Sequence, residues 1–136
     1  MSIEANKALY RRFIQEIFNE GRLERLGDFT APDYEVREAP PGSAARAEAV
    51  KQIVTQFRTG FPDLNIVIEE LIGEGDWIAA RATTRGTHHG TIFGVAPTGR
   101  KIAVTGLTMV RLADGKLTES WVKNDMASLM AQLGAT

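Results

Sequence analysis

The chain contains no cysteine. Disulfides, thiolate nucleophiles, thiolate zinc sites and iron–sulfur clusters are thereby excluded. Histidine is scarce, with only the adjacent pair His88 and His89. A metal site built from these two would need carboxylate help, and helical His-x-x-x-His spacing is missing, so no metal is expected. No sign of charge dominates: 16 Lys+Arg face 17 Asp+Glu, for a formal net charge of −1. That balance offers nothing to nucleic acid or to an anionic membrane. Unbroken apolar runs last only a few residues, too short to cross a bilayer. Met1 to Lys7 carry no basic segment leading into an apolar run, so no signal peptide is expected and a cytoplasmic location is. Internal repeats, low-complexity tracts and linkers are also missing. What remains is one domain of 136 residues, 43% hydrophobic and 24% charged, large enough to bury a core without a staple.

Leu9, Tyr10, Phe13, Ile14, Ile17 and Phe18 recur at spacings of three and four, which predicts an amphipathic helix with a broad buried side. Asn19-Glu20-Gly21 ends it, and a short second helix follows around Leu23–Phe29. Tyr34–Glu38 alternates weakly and stops at Pro40-Pro41-Gly42, as a short strand does. Ser43 is placed to cap a further helix carrying Ala47, Val50, Ile53, Val54 and Phe57, which Gly60 and Pro62 terminate. From Leu64 the pattern changes. Leu64–Glu74, Trp77–Thr87, Lys101–Leu112 and Lys116–Asn124 are rich in β-branched and aromatic residues. Gly75-Asp76 and Asp114-Gly115 leave gaps short enough for antiparallel hairpins. A last helix, Met126–Leu133, ends at Gly134. Helices segregated from an antiparallel sheet make the fold class α+β. A twisted sheet with a broad helix across it curls into a half-open cone, a natural small-molecule pocket.

Several segments resemble one family. Asn6-Lys7-Ala8-Leu9, Phe18-Asn19-Glu20-Gly21, Phe61-Pro62-Asp63-Leu64, Gly86-Thr87-His88-His89-Gly90 and Pro97-Thr98-Gly99-Arg100 look like the SnoaL-like polyketide cyclases, or ester cyclases. So do Asp114 to Asp125 and Gln132-Leu133-Gly134. The motifs run through nearly the whole chain in family order. The resemblance implies the NTF2-like conical barrel: a curved antiparallel sheet with N-terminal helices packed across it. It also implies ring closure by intramolecular aldol condensation without metal or organic cofactor, an aspartate in the position of Asp125 being the general base. The family often has His where this chain has Ser120, which removes one acid or orienting group.

The residues themselves offer two readings of Asp125. A base beside a carbonyl must sit in an apolar cavity within reach of the acidic carbon, and a carboxylate ending an inner strand meets that need. The alternative is an N-cap for the last helix. On an ideal, unbulged strand Leu117, Glu119, Trp121, Lys123 and Asp125 share one face, so Trp121 becomes cavity wall and Lys123 an electrostatic partner. His88 is either a cavity-facing acid or a histidine that hydrogen-bonds the loop closing one end of the barrel. Tyr10 can place its hydroxyl in the cavity. Phe57, Phe61 and Phe93 are pocket wall or core. Arg81, among small residues in mid-strand, is expected to be buried and paired with a glutamate. Gly86, Gly90, Gly94 and Gly99 suggest turns in a mobile lid, His88 to Thr98, whose few large apolar anchors are Ile92, Phe93 and Val95.

The leading expectation is thus a cofactor-independent cyclase or isomerase acting on a hydrophobic carbonyl compound. The alternatives are a non-catalytic ligand-binding or association module, and an epoxide or lactone hydrolase in which Asp125 activates water. A homodimer is expected, because one helix layer cannot cover both sheet faces; Ala79, Val104 and Val110 are candidates for the uncovered one.

Overall fold

The computed structural model describes residues 2–134. Helix α1 (Ile3–Phe13) starts where the Ser2 hydroxyl accepts the Ala5 N–H at 3.0 Å, a standard N-cap. It then widens into a π-helical turn, Ile14–Asn19. The wider winding rotates the apolar face, so Phe13, Ile14 and Ile17 are all buried and Phe18 meets Phe13 edge to face at 5.8 Å. A 3₁₀ turn (Leu23–Asp28) leads to β1 (Thr30–Val36), α2 (Ala47–Gly60), β2 (Asn65–Glu74), β3 (Trp77–Thr87), β4 (Lys101–Ala113), β5 (Lys116–Asn124) and α3 (Met126–Gln132). Ser43 does not cap α2 as expected. Its N–H is held by the Pro40 carbonyl at 3.0 Å in the preceding turn, and Arg46, at φ 59°, precedes the helix without a side-chain cap.

The five strands form one sheet in the order β1-β5-β4-β3-β2. Strands β2 to β5 are the expected antiparallel meander. The sheet is nonetheless mixed rather than wholly antiparallel, because β1 lies parallel to β5 at the edge. The long excursion through α2 and the meander supplies the crossover that a parallel pair requires.

Alternation divides the sheet into two faces. On the inner face Ile78, Ala80, Ala82, Thr84 and Gly86 of β3 stand opposite Val110, Thr108, Gly106, Val104 and Ile102 of β4. The helices pack here, in two clusters. One joins Tyr10, Phe13, Ile14 and Ile17 to Val50, Val54, Ile78, Val110 and Leu117. The other joins Phe61, Leu64 and Ile92 to Ile102, Val104, Leu129 and Leu133. Each such side chain contributes about 1.5–3 kcal/mol relative to exposure. Val104 and Val110, expected on the uncovered face, are therefore core residues, 5% and 1% exposed. Parity explains the error, since Ala79 pairs with Met109 and belongs to the opposite face. That outer face carries Ile72, Ala79, Met109 and Trp121 in one row across four strands.

One irregularity decides where the β5 side chains go. The β4–β5 register shifts between Arg111 and Leu112: Leu112 faces Leu117, but Arg111 faces Glu119. Thr118 is the extra residue, and its hydroxyl donates to the Arg111 carbonyl at 3.2 Å. This bulge resets the alternation. Leu117 and Ser120 both point inward, at 0% and 3% exposure, and Trp121 and Lys123 turn outward.

Candidate functional site

The bulge removes two expected residues from the interior. Trp121 lies on the outer face, its indole N–H donating to Glu119 Oε2 at 3.1 Å. Lys123 is exposed on the same face and its ammonium pairs with Glu38 at 3.3 Å. Arg81 is also exposed rather than buried, though it has the expected strand partner, Glu70, at 2.9 Å. Tyr10, Phe61 and His88 are buried, and Phe57 and Phe93 are half-buried, meeting edge to face at 5.8 Å.

In place of the expected lysine, the interior carries hydroxyls. Tyr34 is 2% exposed and donates to Ser120 Oγ at 2.7 Å. The Tyr10 phenol stands beside the Thr108 hydroxyl, and burial pushes its pKa up to about 12. Burial raises the Tyr34 phenol as well, with the Ser120 hydrogen bond offsetting part of the effect. Both phenols thus stay protonated at neutral pH and act as hydrogen-bond donors. Tyr34 and Thr108 carry no motif, and the sequence singled out Ser120 only as standing where the family often has His, not as part of this group.

The interior opens at the end of β5. β1 pairs with β5 only up to Ser120. Beyond it Val122 and Asn124 lie on the inner face, opposite Thr108 and Gly106, and yet are exposed. The chain then leaves the extended conformation at Asp125 (φ −77°, ψ 79°), whose Oδ1 accepts the Ser128 N–H at 2.9 Å and caps α3. Leu129 and Leu133 fold α3 back onto Ile102 and Val104 of the inner face. Asp125 therefore stands at the end of the sheet, where β5 turns into α3 and its N–H still reaches the Thr105 carbonyl at 3.2 Å. It is exposed, not sunk among aromatic rings as expected, because the turn into α3 carries it past the end of the sheet. Asp125, not its neighbour Asn124, is the cap.

The motif residues behind the family resemblance mostly hold the frame. Asn19 clamps β2, its Oδ1 accepting the Ile66 N–H at 2.7 Å and its Nδ2 donating to the Ile66 carbonyl at 3.1 Å. Asp63 accepts both the N–H and the hydroxyl of Thr87, each at 2.7 Å, and these bonds hold its carboxyl below the usual range. Gln132 makes a similar two-bond clamp on Ala103. His88 belongs to this set: its Nδ1 accepts the Thr98 N–H at 3.2 Å and lies 2.9 Å from the Thr98 hydroxyl. The accepting Nδ1 assigns the ring proton to Nε2.

The loop after His88 is anchored at Ile92 and at Gly90. Ile92 is 2% exposed, and Ile92 and Val95 exchange backbone hydrogen bonds around Phe93 (φ 51°) and Gly94 (φ 75°). Positive φ at both central positions makes a hairpin-type turn. Gly90 lies so close to α2 that a Cβ there would stand 1.9 Å from the Thr59 carbonyl oxygen.

Two surface clefts, of ≈ 570 and ≈ 250 Å³, lie beside the 35–46 segment and α2. None of the candidate residues lines either one. Among the described residues no group of three or more His, Cys, Asp or Glu side chains could hold a metal ion. Nor is any helix there long and apolar enough to cross a membrane.

A curved mixed sheet with helices packed across one face and hydroxyls buried between them defines an NTF2-like domain. The chain belongs to the SnoaL-like polyketide cyclase family, whose model matches residues 8–133. It is similar to nogalonic acid methyl ester cyclase of Streptomyces nogalater, 29% identical over 119 residues that make up 86% of this chain and 89% of that protein. It is also similar to aklanonic acid methyl ester cyclase DnrD of Streptomyces peucetius, 27% identical over 93% of this chain and 88% of that protein. Among solved structures, TsrD from Streptomyces laurentii superposes with a TM-score of 0.90 at 26% identity, covering 100% of this chain and 99% of that one. Wild-type IdmH from Streptomyces antibioticus superposes at 0.77 with 35% identity, covering 90% and 94%.

Proposed function

We propose that this protein closes a ring within a hydrophobic, carbonyl-bearing methyl ester by intramolecular aldol condensation, without metal or organic cofactor and with Asp125 as general base. The observation that carries this reading is the Asp125 carboxylate itself, exposed where β5 turns into α3 and engaged by the helix cap through Oδ1 alone. Among the described residues nothing else hydrogen-bonds to the carboxylate, so Oδ2 is available to accept a proton. Family membership and the names of the two methyl ester cyclases support the substrate class.

In this reading Asp125 removes a proton from the carbon next to one carbonyl. The enolate carbon attacks a second carbonyl of the same molecule, a carbon–carbon bond forms, and the new alkoxide takes the proton back. No electron is gained or lost overall, so no redox partner is needed. The exposed base suits this chemistry only if the substrate, seated against Val122 and Met126, excludes water as it binds. His88 takes no part in the proton transfer, since its ring is 0% exposed and latched to Thr98.

A second reading, a ligand-binding or association module, is favoured by one fact: Asp125 caps α3. The test separates the two. Asn caps about as well as Asp, so Asp125→Asn should leave the melting temperature unchanged. As a base it should be irreplaceable, and turnover of aklanonic acid methyl ester should fall by roughly two to four orders of magnitude. Full turnover in Asp125→Asn would remove Asp125 from the chemistry.

We also propose that the protein is a homodimer joined through the outer sheet face. Ile72, Leu107, Met109 and Trp121 are 64%, 60%, 49% and 38% exposed there. The ion pairs Arg81–Glu70 and Arg111–Asp76 flank them. An apolar patch with a charged rim of this kind marks an association surface.

A further inference from the structure

Gly106 sits in the middle of β4, where glycine weakens a strand by offering no side chain to pack and by losing more backbone freedom on folding. Its inner-face neighbours along the strand are Val104 and Thr108. Gly106 is not among the positive-φ glycines, so its backbone conformation does not call for glycine. Space does. A Cβ at this position would stand 2.1 Å from Oδ1 of Asn124 and 3.2 Å from its Cγ. The Asn124 amide thus lies directly over Gly106, in a cradle that any other residue would fill.

Asn124 is not held there by the fold. Among the described residues its side chain makes no hydrogen bond, and the α3 cap is Asp125. It lies on the inner face yet is exposed, at the open end of the interior, with Val122 next to it on that face. Across the sheet from it, beyond Gly106, the wall is the small side chain of Ala82. With Oδ1 over Gly106, the Nδ2 donors are the part of the amide left for a ligand. It is the residue next to Asp125.

We infer that Asn124 is a substrate-contacting hydrogen-bond donor of this site, and that Gly106 is the positioning residue that lets its amide lie flat against β4. The inference rests on Asp125 being the base. When the carbon beside a carbonyl loses its proton, negative charge builds on the carbonyl oxygen. A neutral donor next to the base stabilises that charge as it develops.

The test is a double-mutant cycle over Asn124→Ala and Gly106→Ala, read on turnover and calorimetric binding of aklanonic acid methyl ester. Asn124→Ala should lower kcat by about 10²- to 10³-fold, the usual effect of removing one such donor, with a smaller change in KM. Gly106→Ala should lower kcat in the wild-type background and do nothing further once Asn124 is Ala, because the two changes act through one amide. The melting temperature supplies a readout independent of activity: Gly106→Ala should raise it only in the Asn124→Ala background, where the cradle is empty. An unchanged kcat in Asn124→Ala overturns the inference. So does a Gly106→Ala loss of equal size in both backgrounds. Should the wild type bind the ester without turning it over, the coupling read in affinity still decides on Asn124 while the base reading alone fails. If the wild type neither binds nor converts the ester, both fall.

Discussion

The Tyr34 phenol and the Ser120 hydroxyl meet at 2.7 Å inside the core, one from the parallel edge strand and one from its neighbour. Tyr34 donates and Ser120 accepts. Removing one partner strands the other. Tyr34→Phe and Ser120→Ala should each lower stability by about 1–3 kcal/mol in urea unfolding, the cost of a buried polar group left unpaired. The double variant should cost clearly less than the sum, since neither polar group then remains. Additive losses would mean that the pair does not act as a unit.

The Asp63–Thr87 clamp should show itself in acid. Two hydrogen bonds from Thr87 depress the Asp63 carboxyl below its ordinary value of 3.8. A depressed folded-state value stabilises above the unfolded one, and that contribution is lost as pH falls through the folded value. Asp63→Asn should therefore be less stable than wild type at neutral pH, and the two should converge below about pH 4. The carboxyl is exposed, so solvent screening holds the difference to the order of 1 kcal/mol. Chemical denaturation at a series of pH values checks this; a gap that persists unchanged into strong acid would assign it to packing instead.

Met109 stands at the centre of the apolar row on the outer sheet face, beside Ala79 and Trp121. A lysine there places a charge where the proposed dimer would bury it. Met109→Lys should sediment as a monomer at micromolar concentrations at which the wild type sediments as a dimer, with an unchanged circular dichroism spectrum. A monomeric wild type would remove the proposal.

Much of the frame was legible without coordinates. Spacings of three and four from Leu9 to Phe18, and runs of β-branched residues cut by Gly75-Asp76 and Asp114-Gly115, report local preferences that tertiary contacts here reinforce. The family motifs were readable because they hold that frame together, as the Asn19 and Asp63 clamps do. The site was much less legible, for reasons that lie between strands. The Thr118 bulge leaves no mark in sequence, since any residue can occupy it, and it reversed the direction of Trp121 and Lys123. The parallel pairing of β1 with β5, which brings Tyr34 to Ser120, depends on contacts more than 80 positions apart in the chain. Gly106 gave a signal that can be understood afterwards, as a glycine in a strand marks close approach, but only the β4–β5 register names Asn124 as what approaches. Local chemistry in this chain determined which segments become helix or strand. The packing of those segments decided which side chains face the interior, because one residue of register shift exchanges the two faces of a strand.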